Sequence, residues 1–71
     1  MNDIEQQKVI CRVKRDAYLK QMNKILKEKE KFGDSFGDAL FRCSYNIFAV
    51  QCQSLAQIED EILNNLEKME K

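Results

Sequence analysis

Ile4, Cys11, Tyr18, Ile25 and Phe32 stand seven residues apart, and after a short break Phe41, Phe48, Leu55, Ile62 and Met69 do the same. At about 100° per residue, a seven-residue step drifts by only about 20°, so each series makes a stripe along one side of a helix. Leu19, Met22 and Leu26 widen the first stripe, and Tyr45, Cys52, Ile58 and Leu66 fill the turns of the second. Alternation at period two is absent, which argues against strands. The chain has no proline to interrupt either helix.

Between the two series lies "KFGDSFGDALF", residues 31–41, which holds both glycines. Gly33 is placed to cap the first helix in the left-handed conformation. Ser35 is placed to cap the second, with Asp38 three residues on completing a capping-box pattern. Asp34 and Asp38 put negative charge beside the positive end of that helix. A phosphate loop would need Gly-x-x-x-x-Gly-Lys after a strand, and neither is present. The stretch is therefore a tight interhelical turn.

The expectation is a single domain over 1–71, with helix 1 about 3–32, a turn about 33–35 and helix 2 about 36–69. A short turn between long helices folds them back antiparallel. Phe32 then faces Phe41, Ile25 faces Phe48, Tyr18 faces Leu55, Cys11 faces Ile62 and Ile4 faces Met69, in a rod about 45 Å long. The fold class is all-α: an antiparallel hairpin of two long amphipathic helices, assembling into a four-helix bundle. The alternative is a three-helix bundle in which helix 1 breaks near Asp16 or Asn23 and folds back.

A second apolar stripe makes assembly an expectation rather than an option. On helix 2 it is Phe36, Leu40, Cys43, Ile47 and Val50, giving way to Ser54, Gln57, Glu61 and Lys68. On helix 1 it is Val9, Ile10, Val13 and Ala17, giving way to Lys20, Lys24, Lys27 and Lys31. A two-helix hairpin cannot cover both, and an apolar surface of this size is unusual on a soluble monomer. In 71 residues a single core supplies only about 3–5 kcal/mol, so outside support also suits the stability of the chain. The nine apolar residues are the candidate partner-binding surface, and the partner is a second copy (a homodimer) or another helical protein.

Charge and cysteine content bear on the rival readings. Residues 1–31 hold nine Lys/Arg and five Asp/Glu, and residues 32–71 hold three and seven. The simplest consequence is attraction within the hairpin. Lys20, Lys24, Lys27 and Lys31 follow helical spacing and are the candidate contacts for an anionic partner. Glu28 and Glu30 lie among them and no aromatic residue is interleaved, so nucleic acid is not the expected partner but an alternative, and a membrane surface is not expected because the Lys-rich and apolar faces occupy different halves of helix 1. A small chaperone holding an amphipathic client segment is another. Cys11, Cys43 and Cys52 are odd in number, and with no histidine they lack the spacing of a zinc site. They read as buried reduced thiols of a cytoplasmic or nuclear protein.

Glu59-Asp60-Glu61 are consecutive and so splay around the helix instead of converging. No residue has a base placed to activate it, and a thin hairpin offers little pocket. No catalytic, metal or cofactor residue is assigned, no small-molecule substrate is expected, and the chain is read as non-enzymatic. The N-terminal "MNDIEQQK" lacks the basic-then-apolar order of a secretion signal. No apolar run approaches the roughly 20 residues that span a bilayer.

Overall fold

The computed structural model describes residues 3–70. It contains two helices, α1 (Asp3–Lys29) and α2 (Phe36–Met69), packed along each other as an antiparallel hairpin. The rod measures 54 × 16 × 11 Å. It exceeds the expected length because α2 alone, at 34 residues, spans about 51 Å.

Both helices begin and end where their local chemistry favours it. Asp3 and Glu5 lie in the first turn of α1 and Lys27 and Lys29 in its last, matching the helix dipole at either end. Ser35 caps α2: its Oγ accepts the Asp38 backbone N–H at 3.1 Å, and its carbonyl accepts that of Ala39 at 2.9 Å. Asp38 adds negative charge to that first turn.

The exit from α1 differs from expectation. The helix stops at Lys29, and the chain tightens through Lys31 N–H to Glu28 O (3.1 Å) and Phe32 N–H to Lys29 O (3.2 Å). These are i to i−3 bonds that close the last carbonyls without any left-handed residue. No glycine among the described residues has a positive φ, so Gly33 is not a left-handed cap. Its small size matters for another reason: a Cβ there would lie 3.1 Å from Asp38 Oδ2. α1 also runs unbroken through Asp16 and Asn23, which removes the folded-back three-helix arrangement.

The seam corrects the larger expectation. Phe32 does stack on Phe41, with ring centroids 5.5 Å apart. Farther from the turn, α2 is rotated relative to the expected face. The buried apolar positions are Cys11, Ala49, Ala56 and Leu63, joined by the buried Lys8 and Glu59. On α2 the covered line is Tyr45, Ala49, Cys52, Ala56, Glu59, Leu63 and Leu66, alternating steps of four and three. Phe48 (50% exposed), Leu55 and Ile62 (both 42%) and Met69 (69%) sit on its flank.

Size explains the inversion. Helix axes approach most closely where side chains are small, and Ala49 and Ala56 allow that approach. Long polar side chains then serve better than rings at the facing positions. Lys8 and Arg15 lay their aliphatic stems along the seam and carry their charges to its edge.

Candidate interaction surface

The chemistry of the hairpin begins with the charges that close its seam. Near the open end, Lys8 Nζ lies 3.1 Å from Glu70 Oε2 and 3.5 Å from Glu5 Oε1. The hydrogen bond to Glu70 raises the Lys8 ammonium above its ordinary range against the lowering effect of burial. Hydrogen bonding with Glu5 and with Lys8 holds the Glu70 carboxyl below the usual carboxylate range. One turn inward, burial and a hydrogen bond to the Glu59 carboxylate push the Cys11 thiol up, so it remains protonated at neutral pH. Arg15 Nη1 donates to Asp60 Oδ1 at 2.9 Å, and Lys29 Nζ to Asn46 Oδ1 at 2.9 Å. These contacts join α1 to α2, and the polar seam is internally satisfied: no buried side-chain nitrogen or oxygen among the described residues lacks a partner.

The apolar surface is not satisfied in the same way. Val9, Ile10 and Val13 of α1 are 54%, 44% and 63% exposed, and Ala17 is exposed beside them. On α2, Phe36 (82%), Leu40 (56%), Ile47 (57%) and Val50 (59%) are uncovered, as is Cys43. The expectation that all three thiols are buried therefore fails at Cys43, while Cys52 is half-buried. All nine candidate partner-binding residues lie at the surface, and Lys20, Lys24, Lys27 and Lys31 are exposed as well.

The rotation of α2 adds residues that the sequence reading assigned to the seam. Phe41 is 57% exposed, and Phe48, Leu55, Ile58 and Ile62 range from 42% to 50%. Phe48 and Leu55 line a groove of about 430 Å³ between the helices, together with Ile25, Tyr45, Cys52, Gln21, Glu28 and Gln51. A shallower depression behind it is lined by Asn46, Ile47, Val50 and Gln51. In its first half α2 is thus apolar around most of its circumference, a pattern that belongs to helices with neighbours on several sides.

Residues 43–58, "CSYNIFAVQCQSLAQI", contain no charged side chain. That uncharged run is the sequence signal of the exposed apolar stripe, and the two alanines within it mark the hairpin seam. Among the described residues, no group of three or more His, Cys, Asp or Glu could hold a metal. No helix of the described chain is long and apolar enough to cross a membrane. The fold and surface together define a two-helix antiparallel hairpin with an uncovered apolar face. No family model, no curated protein and no solved structure matches the chain.

Proposed function

We propose that this chain is a non-enzymatic protein–protein interaction module, a small helical-bundle subunit that works by covering the free face of α2 with further helix. The observation that carries this reading is the row of exposed large apolar residues from Phe36 to Ile62 on a helix whose opposite side already forms the hairpin seam. A surface of that extent, rimmed by glutamine, serine and asparagine, has the character of the core of a contact patch.

The test is the mass of the purified chain by light scattering over a dilution series, with binding of an apolar fluorescent dye measured in parallel. An assembly that dissociates on Ile47→Glu or Val50→Glu while helicity is retained supports the reading. So does a helical monomer whose face binds the dye and loses that binding in the same variants. A monomer that stays monodisperse at high concentration and binds no dye removes it. A separate reading, contact of the lysine stripe with an anionic surface, predicts salt-sensitive binding that is lost when Lys20, Lys24, Lys27 and Lys31 become glutamate.

A further inference from the structure

We propose that the free face of α2 is occupied by α2 of a second copy of this chain, packed antiparallel about a two-fold axis beside Gln51. The inference rests on the interaction-module reading and names its partner.

The first observation is the symmetry of the exposed stripe. Phe41, Phe48, Leu55 and Ile62 are evenly spaced and all exposed, with two rings in one half and two branched aliphatics in the other. An antiparallel copy centred between Gln51 and Cys52 sets Phe48 against Leu55 and Phe41 against Ile62, twice each. A ring against a smaller branched chain fills space on both sides of the axis. In a contact of this kind residue i meets residue j twice, and only a residue at the axis meets its own copy. Any charge there would face its own copy, and residues 43–58 carry none. Gln51, exposed and bordering both depressions, is able to meet its own copy because an amide both donates and accepts.

The same arrangement also sets the level of the remaining surface. Arg15–Asp60 and Lys29–Asn46 fix the register of the hairpin. With that register, α1 of the second copy runs parallel to α2 and brings its segment from Val9 to Ala17 level with Gly37–Tyr45. The apolar patch at the open end of one copy is therefore level with the apolar patch near the turn of the other. Farther along, Lys29 and Lys31 of the second copy lie level with Gln57 and Glu59.

Charge agrees with this packing. The half of the hairpin nearest the turn, residues 18–55, holds six Lys/Arg and four Asp/Glu, while residues 3–17 with 56–70 hold five and eight. Antiparallel copies lay the positive half of each over the negative half of the other.

The experiment is a charge swap at the axis, read by sedimentation equilibrium, with helicity checked by circular dichroism. Gln51→Glu and Gln51→Lys are each expected to weaken the dimer by about tenfold or more, because like charges meet. An equimolar mixture of the two is expected to recover a mixed dimer. Gln53→Glu, about 160° away around the helix, is expected to leave the dimer unchanged. A wild-type dimer insensitive to both Gln51 variants, or one that both weaken but mixing fails to restore, overturns the arrangement and leaves the interaction-module reading intact. A wild-type monomer at every concentration overturns it too, and dye binding by that monomer then decides whether the broader reading survives.

Discussion

Ala56 is 3% exposed while Phe48, on the same helix, is 50% exposed, and that ordering changes which substitutions matter. Leu63 is the large aliphatic side chain among the buried positions, at 7% exposure. Leu63→Ala is expected to cost about 2–4 kcal/mol. Against a total of about 3–5 kcal/mol for a core of this size, that is most of the stability of an isolated hairpin. Ala56→Asp places an unpaired charge in the seam and is expected to abolish the helical signal at 25 °C. Phe48→Asp is expected to leave helicity largely intact and to lower the assembly mass instead. Urea melts followed by circular dichroism, with light scattering on the same samples, separate the two classes. Similar behaviour of Phe48→Asp and Ala56→Asp would place Phe48 in the core after all.

The two helices differ in how much of their behaviour could be read from residue types. The cap of α2 was fully legible: Ser35 followed by Asp38 gave the start, and the hydrogen bond to the Asp38 amide is in place. Ser35→Ala is expected to lower stability by about 1 kcal/mol, measurable as a shift in urea midpoint with unchanged slope. The antiparallel pairing was legible as well, through the Phe32–Phe41 stack beside the turn. The rotation of α2 was not, because the bulk of a side chain does not by itself report its burial. Its large residues and its small ones form parallel lines on adjacent faces, and steric approach selects the small line. On α1 the same error hid Lys8 and Arg15, whose charged ends concealed the stems that pack. The nine surplus residues were recognised as exposed, but Phe41, Phe48, Leu55 and Ile62 were missed as members of the same surface. The end of α1 was misjudged by three residues, since the sequence does not distinguish a left-handed glycine from a tightened last turn.

At the scale of the whole rod, the pH dependence of stability resides at the open end. The depressed Glu70 carboxyl contributes stability above its unfolded pKa of about 4.3, and that contribution is lost as pH falls through the folded value. The raised Lys8 ammonium contributes below its unfolded value of about 10.4 and loses that contribution as pH rises through the folded value. The melting temperature of the wild type should therefore exceed that of Lys8→Met between about pH 5 and 10, and the two should converge at either extreme. A constant difference across that range would show that the stem of Lys8 matters and its charge does not. The Lys8–Glu70 contact spans 62 residues of sequence, whereas Phe32 and Phe41 are neighbours across the turn. Closing a long loop costs more chain entropy than closing a short one, so the hairpin is expected to zip from the aromatic cluster outward and to latch last at Lys8. Removing the latch should accelerate unfolding and leave the refolding rate nearly unchanged. The ends of this rod then govern how long it stays folded, and its turn governs how quickly it gets there.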